Sequence, residues 1–376
     1  HLRDVFGEAG ALAVARAGAR IVPAVRAWTE ERGVDVWFRE GGLLKVSAAP
    51  AQDASLSAPV EAARSLGVPD DAVALSRQQL EGHICSPRFR EGVFFRDCAT
   101  VQPARLARAL RKAILDAGIE LHERSPVLRI RDRELTLARG RVRAREVVLA
   151  VNAAATGWRP LAGALTNFGS YVVLTKPVPK LLDEIGWTGG EAIIDGRMFL
   201  HYFRTTPDGR VLMGSGSGAV GYGGRLDARF SADAAAAARA ERGLRELLPA
   251  LAGAKIDRAW GGPIDVSGDH LPFFGSIGRV HYGAGYSGHG VGPSWLGGQI
   301  LASLALGVED EWTELPLVRR RLPRLPPEPF RYLGGRAIRA AIMATEEAEE
   351  AGRRVALPAR ALASVPRLLG LRVGTR

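Results

Sequence analysis

A glycine-rich stretch between two apolar segments is the feature that most constrains how this chain of 376 residues folds. Residues 283–294 read GAGYSGHGVGPS. The apolar spacing predicts a short strand before them, at 279–282, and a helix after them, at 294–306. Glycines let a backbone approach a flat or anionic group, and the amino end of a helix offers unpaired N–H groups and a positive dipole. This order predicts a ligand-binding turn in an α/β fold, with a tight turn that binds nothing as the alternative.

A second glycine-rich stretch, at residues 216–221, has the spacing GxGxxG. It follows a predicted strand, but the next predicted helix begins about ten residues later. No helix amino end therefore faces its glycines, as a phosphate-binding turn would require. We interpret this stretch as a flexible glycine loop.

A central part of the chain has the pattern of a βαβ unit. A helix is predicted over residues 103–117 and ends at Gly118, and a strand is predicted directly afterwards, at 119–123. Residues 146–151 form a continuous apolar run, which is typical of a strand buried in a parallel sheet. This part of the chain therefore predicts α/β structure.

Other parts of the chain predict antiparallel structure. Residues 34–39 and 42–46 have the pattern of a hairpin, and alternating aromatic-rich segments between 167 and 214 predict an antiparallel sheet. The prediction is thus an α/β (α+β) chain in which two domains interleave. The first domain comprises residues 1–33, 99–155 and 259–313, the second comprises residues 34–98 and 156–258, and a basic C-terminal extension comprises residues 314–376.

The net charge of +11 is concentrated near the C-terminus. From Arg319 onward the sequence holds thirteen arginines and no lysine against five glutamates, which gives +8. We interpret this segment as a solvated extension, and contact with an anionic membrane surface is the alternative. The segment lacks the interleaved aromatic residues of single-strand-binding surfaces, which disfavours nucleic acid as a partner.

The cysteines, histidines and apolar runs exclude several classes of protein. The two cysteines, Cys85 and Cys98, form no disulfide framework, and the seven histidines lack metal-ligand spacing, so we expect no metal. Free thiols fit a reducing cytoplasm, which is the predicted location. No run approaches the ~20 apolar residues of a membrane span, and the first residues do not resemble a signal peptide.

Residues 260–275 read WGGPIDVSGDHLPFFG, and they precede the glycine-rich turn and its helix. In this order the segments resemble the C-terminal flavin-binding part of the D-amino-acid oxidase, glycine oxidase and sarcosine oxidase superfamily. The γ-glutamylputrescine oxidase-like branch is the most similar. The segments QPARL from Gln102, VVLAVNA from Val147 and YFR from Tyr202 also resemble that family, so the likeness covers roughly residues 1–330.

The resemblance implies an FAD-dependent oxidoreductase that oxidises a C–N bond of a small amine or amino acid by hydride transfer to flavin N5. Oxygen or a quinone would accept the electrons. The FAD is expected to be noncovalent, because no cysteine lies near residues 267–269, where the sarcosine oxidase branch tethers its flavin. Members of the family open with strand, GxGxxG and helix, and this sequence starts after that turn. We therefore expect weak or no FAD retention, and a flavin-less remnant or binding protein without activity is the alternative.

The resemblance also implies the site residues. Tyr171, Tyr202 and Arg204 are predicted on the substrate side with His289 near the flavin, and Arg204 has the geometry to bind a substrate carboxylate through two hydrogen bonds. The alternatives are packed aromatic residues, an exposed strand arginine and a structural turn histidine. The predicted cofactor-binding residues are Val127, Asn152, Ala153, Gly285, Tyr286, Ser287, Gly288, His289, Gly290 and Val291.

Overall fold

The computed structural model describes residues 1–216 and 218–372. Its α-helices are α1 (Leu2–Ala19), α2 (Ile21–Glu31), α3 (Pro50–Ser65), α4 (Arg77–Leu80), α5 (Pro103–Asp116), α6 (Pro179–Glu184), α7 (Ala234–Leu247), α8 (Pro293–Leu306), α9 (Phe330–Glu350) and α10 (Leu357–Leu368). Its strands are β1 (Leu43–Val46), β2 (Val73–Leu75), β3 (Gly92–Phe95), β4 (Val127–Arg131), β5 (Glu134–Leu137), β6 (Gly140–Arg143), β7 (Val147–Leu149), β8 (Leu165–Thr175), β9 (Ala192–Asp195), β10 (His201–Thr205), β11 (Val211–Ser215), β12 (Ile256–Ser267), β13 (Phe273–Ile277) and β14 (Val280–Ala284). This mixture of helices with parallel and antiparallel strands confirms the predicted α/β (α+β) class.

Eight strands form one large sheet in the order β12-β8-β11-β10-β9-β1-β3-β2. Neighbouring strands are antiparallel except β1 and β9, which run parallel. Successive side chains alternate between the two faces, so β10 buries His201 and Phe203 while Tyr202 and Arg204 remain partly exposed. The first face packs against α7 and is closed. The second, which we call the open face, remains partly accessible, and the antiparallel pairing predicted between residues 167 and 214 is confirmed.

A second sheet of three strands, β13-β14-β7, packs against α8. Apolar side chains cover most of α8, as expected for a helix buried between layers, and Ile300 packs with Phe274 of β13. Because β14 runs parallel to β7, both strands end at the same edge. The strands β4, β5 and β6 form a small antiparallel sheet. Within the described ranges, no helix has the length and hydropathy required to cross a membrane.

Two predicted strands are wrong. Residues 119–123 are irregular and their apolar side chains are exposed, because none of the described strands lies beside them to pair with their backbone. Residues 34–39 make a single bridge, from Arg39 to Thr100, and β1 pairs with β3 and β9 instead of forming the predicted hairpin. The long strand β12 also crosses residue 259, where the predicted domain boundary falls. Periodicity identifies a strand but does not specify its partner.

The C-terminal residues differ from the predicted solvated extension because α9 is anchored to the loop between β9 and β10. The buried carboxylate of Glu346 accepts hydrogen bonds from the backbone amides of Met198 and Phe199, the latter at 3.2 Å. Glu350 on the same helix forms an ion pair with Arg197. Burial raises the pKa of Glu346 to about 7. Part of the basic extension is therefore a structural element of the fold.

Replacing Glu346 by alanine should leave two backbone amides without an acceptor and weaken the attachment of α9. We expect E346A to lower the free energy of unfolding by roughly 2–6 kcal/mol, because each of the two buried amides left without a partner costs about 1–3 kcal/mol. E346Q keeps an acceptor oxygen and should lose less. E347A, at an exposed position of the same helix, is the control. Urea unfolding measures the differences, and equal losses in E346A and E347A would contradict the anchoring role.

Candidate active site

The glycine-rich turn joins β14 to α8 at the edge where β7 and β14 both end. The 3-10 helix Asn152–Gly157 follows β7 and contacts β14 at this edge. Asn152, Gly285, Ser287 and Gly288 all have φ between 47° and 89°. Residues other than glycine rarely adopt such φ values, and they collect at ligand sites. The structure thus brings two of the predicted cofactor-binding segments together, residues 152–153 and residues 285–291.

A buried carboxylate fixes the first half of the turn to β12. The Gly285 amide donates a hydrogen bond to the side chain of Asp265, and the Ser287 amide donates to the Asp265 carbonyl at 2.8 Å. The Ser267 amide, in the same strand, donates to the Ser287 hydroxyl at 3.3 Å. Burial raises the pKa of Asp265 to about 6, although backbone amides around it favour the charged form. Asp265 is therefore a positioning residue for the turn.

The second half of the turn offers backbone donors. Across residues 1–216 and 218–372, the amides of Gly288, Gly290 and Val291 have no hydrogen-bond acceptor. The first amides of α8, by contrast, are already used, because Ser294 and Trp295 each donate to a carbonyl of the turn at 2.9 Å. The predicted unpaired N–H groups are thus found in the glycine-rich turn. The prediction is wrong for the start of α8, where the amides of Ser294 and Trp295 are already bonded. Donors of this kind suit an electron-rich edge of a ligand.

The open face of the large sheet carries two of the predicted substrate residues. Tyr202 and Arg204 are two residues apart in β10, so their side chains share this face. The hydroxyls of Tyr202 and Ser170 form a hydrogen bond of 2.8 Å across to β8. Ile264 of β12 lies further along the same face, 3.5 Å from the position that a Cβ atom on Gly288 would take. The open face therefore leads from β10 to the glycine-rich turn.

Arg204 is a half-buried cation. In the part of the chain that the structure describes, its guanidinium has neither a carboxylate nor another hydrogen-bond partner. Arg210 at the far end of the same hairpin is instead paired with Asp208 and Asp257 at 2.8 and 2.7 Å. Burial lowers the pKa of Arg204, since a cation is less stable away from water. An anion that reached the open face would offset that cost.

Two histidines line the turn. His289 is exposed to solvent, yet desolvation lowers its pKa, a combination expected in the wall of a recess. The pKa of His270 falls to about 4 because the residue is largely surrounded by protein and His289 and Arg372 are nearby. Both imidazoles are therefore neutral at pH 7, and they add hydrogen-bonding groups to the site without adding charge.

The structure does not bring Tyr171 into this site. Tyr171 points to the closed face of β8, is 1% exposed, and donates its hydroxyl hydrogen bond to the Arg229 carbonyl. Its position matches the alternative of a packed aromatic residue, so we correct its assignment to packing. Val127 starts β4 in the small sheet and is exposed, and its role in cofactor binding stays a prediction.

Sequence reasoning missed Asp265 and Ser170. A signal for Asp265 was present, because an acidic residue in an otherwise apolar and glycine-rich strand requires a buried partner. Ser170 gave no signal, since a serine in a strand is common and its contact with Tyr202 depends on the pairing of β8 with β11 and β10.

A glycine turn at the carboxyl ends of parallel strands, next to an antiparallel sheet with an open face, is typical of oxidoreductases with a dinucleotide cofactor. Residues 3–304 match the family model described as FAD dependent oxidoreductase, DAO. The chain belongs to this family, whose cofactor is FAD, and the resemblance seen in the sequence is confirmed.

Curated relatives agree with this assignment. The chain is 28% identical over 245 residues to a probable oxidoreductase OrdL of Haemophilus influenzae, covering 62% of this chain and 54% of that protein. It is 29% identical over 275 residues to gamma-glutamylputrescine oxidoreductase of Escherichia coli, covering 72% and 59% respectively. The chain therefore spans somewhat more than half the length of these relatives.

Solved structures show the same fold. Glycine oxidase from Geobacillus kaustophilus superposes with a TM-score of 0.68 at 22% identity, covering 81% of each chain. L-proline dehydrogenase from P. horikoshii superposes with a TM-score of 0.65 at 19% identity, covering 80% of each chain.

The raised pKa of Asp265 predicts how stability depends on pH. An acid with a folded pKa of about 6 against an ordinary 3.8 favours its neutral form in the folded state. Its stabilising contribution is complete below pH ~4 and is lost as the pH rises through ~6. Relative to wild type, D265N should gain stability as the pH rises from about 4 to about 7. Thermal unfolding at several pH values measures this difference, and a difference independent of pH would contradict it. D265A, which loses the acceptor for Gly285, should be less stable than D265N throughout.

Proposed function

We propose that this protein is an FAD-dependent enzyme that oxidises a C–N bond of a small amine or amino acid. The observation that carries the proposal is the half-buried Arg204 beside Tyr202 on the open face, which has no partner among the residues that the structure describes. An arginine in that position suits a substrate carboxylate, so we favour an amino acid or another amine that carries a carboxylate. The names of two relatives, glycine oxidase and gamma-glutamylputrescine oxidoreductase, support an amine or amino-acid substrate.

The turn has groups that fit the flavin. When bound, FAD supplies the acceptor for the hydride that leaves the substrate carbon next to nitrogen. The unpaired amides of Gly288, Gly290 and Val291 would hold the edge of the ring that becomes negative on reduction. Asn152 and Ala153 lie at the same edge of the sheet and complete the set that we propose for cofactor contact. No cysteine lies in this turn, which supports noncovalent binding.

The substrate-side residues would act mainly by positioning. Arg204 would bind the carboxylate through two N–H groups, which fixes the orientation of the carbon that is oxidised. The hydrogen bond to Ser170 orients the Tyr202 ring on the open face, where the substrate would bind beside Arg204. Because His270 and His289 are neutral, each has a ring nitrogen that can accept a hydrogen bond from the substrate ammonium.

Removing the Arg204 guanidinium should affect only substrates that carry a carboxylate. We expect R204A to raise KM for an amino-acid substrate roughly 30–150-fold, because a charge-assisted pair contributes about 2–3 kcal/mol. The same variant should change KM less than threefold for the corresponding amine without the carboxylate. Steady-state kinetics of the FAD-loaded protein measure both values.

R258A is the matched control, since Arg258 is an exposed arginine of β12 and its loss should leave both KM values unchanged. R204K should recover only part of the effect, because lysine cannot bind a carboxylate through two parallel hydrogen bonds. Equal losses by R204A for the amino acid and the amine would contradict a carboxylate-binding role.

The flavin itself provides the direct test of the enzymatic proposal. The FAD-loaded protein should absorb near ~450 nm, and a substrate amino acid added without oxygen should bleach this band. Admission of air or addition of a quinone then shows which acceptor restores the colour. A protein that takes up no FAD, or whose flavin no amine or amino acid reduces, would favour the flavin-less binding protein instead.

A further inference from the structure

A pocket lined by arginines lies on the closed side of the large sheet, opposite the face that carries Tyr202 and Arg204. Its volume is about 230 Å³. Arg229 and Arg239 come from the segment around α7, Arg336 and Arg339 come from α9, and Asp233 and Tyr332 complete the polar wall. The family match ends at residue 304, so half of these arginines lie beyond it.

The floor of the pocket is the loop that the sequence predicted to be flexible. Residues 218–220 line the pocket, and residue 217 of the GxGxxG stretch lies outside the described residues. The loop is tied to β8, because the Gly218 amide donates to the Gly169 carbonyl at 3.0 Å and the Gly169 amide donates to the Ala219 carbonyl at 2.7 Å. A side chain at Gly218 would overlap the ring of Tyr171. The loop is therefore held in place by its close approach to β8.

Tyr171 also supports the wall of the pocket. Its ring lies between Gly218 and Gly261, where added side chains would collide with it, and its hydroxyl binds the Arg229 carbonyl. Tyr171, which the sequence predicted on the substrate side, thus helps to shape a second cavity on the opposite face of β8.

Positive charge outweighs negative charge around the cavity. Burial lowers the pKa of Arg239 and of Arg339, and the charge of Arg239 lowers that of Arg339 further. The carboxylates of Asp233 and Glu347 act in the opposite direction. Asp233 already accepts a hydrogen bond from the Ala236 amide at 2.9 Å, as the N-cap of α7.

The two remaining arginines are differently placed. Arg229 is paired with Asp227 at 2.7 Å. Arg336 lies over the ring of Tyr332 at 5.5 Å and is exposed at the mouth of the pocket. The pocket thus brings four guanidinium groups to one recess, and an anion with several acceptor oxygens matches their N–H donors.

We propose that this pocket binds the phosphate group of a small soluble molecule, with Arg239, Arg336 and Arg339 as its principal ligands. The number of arginines and the volume of the pocket match a tetrahedral oxyanion better than a neutral ligand. The sheet separates this site from the open face, because Tyr171 and Ser170 point to opposite sides of β8. The pocket is therefore distinct from the proposed substrate site.

Calorimetric titration with inorganic phosphate and with pyrophosphate, in the presence of excess FAD, tests this proposal, because any site that the phosphates of FAD can occupy is then filled. Ionic strength is held constant with sodium chloride. We expect saturable binding that R339A and R239A each weaken at least tenfold. R336A should also weaken binding, and its exposed position makes a folding defect an inadequate explanation. R354A removes an exposed arginine of the same C-terminal segment and should bind like wild type.

Three results would overturn the proposal. The first is no saturable binding in the millimolar range, and the second is equal affinity in R339A, R336A and R354A. The third is binding to vesicles of an anionic phospholipid that depends on these arginines while phosphate and pyrophosphate do not bind, which would assign the pocket to a membrane headgroup. Melting temperatures of all variants, and their amine-dependent flavin reduction, show whether the fold and the open face are intact.

Discussion

The hydrogen bonds between the buried Asp265 and the glycine-rich turn are the interactions on which the candidate site depends most. They join β12, the longest strand of the large sheet, to the connection between β14 and α8. That link connects the open face to the glycine-rich turn. A carboxylate at 1% exposure is costly, and the amides that surround it recover only part of that cost. A buried carboxylate whose burial cost is only partly recovered is typical of a residue that positions its neighbours rather than one that stabilises the fold.

The large sheet has two faces with different chemistry. On the open face, Tyr202, Ser170 and Arg204 leave a polar surface that leads to neutral histidines at the turn. On the closed face, the ring of Tyr171 packs between Gly218 and Gly261 and supports the wall of the pocket that the arginines line. Because side chains alternate along a strand, adjacent residues of β8 serve opposite faces. One strand can thus contribute to both a proposed oxidation site and a proposed anion site.

The sequence predicted the local elements of the fold better than their partners. The helix ending before Gly118, the strand of residues 146–151 and the turn between β14 and α8 all follow from periodicity and glycine placement. The pairing of β1 with β9, and the absence of a strand at 119–123, depend on segments far away in the sequence. The same limit applies to the candidate site. The sequence identified Arg204 as an arginine in a strand, but it did not specify the partners of that strand. Which face Tyr171 occupies depends on the register of β8 with β11.

The attachment of α9 has a consequence for how related proteins are compared. The family match ends at residue 304, yet Glu346 and Glu350 lie beyond it and bind the loop that leads into β10. The strand that carries Tyr202 and Arg204 is thus steadied by a part of the chain outside the shared family region. Two members with the same residues on the open face can therefore hold them with different rigidity, depending on the helices that each adds after the common core. Comparisons confined to that core would assign such a difference in behaviour to the wrong residues.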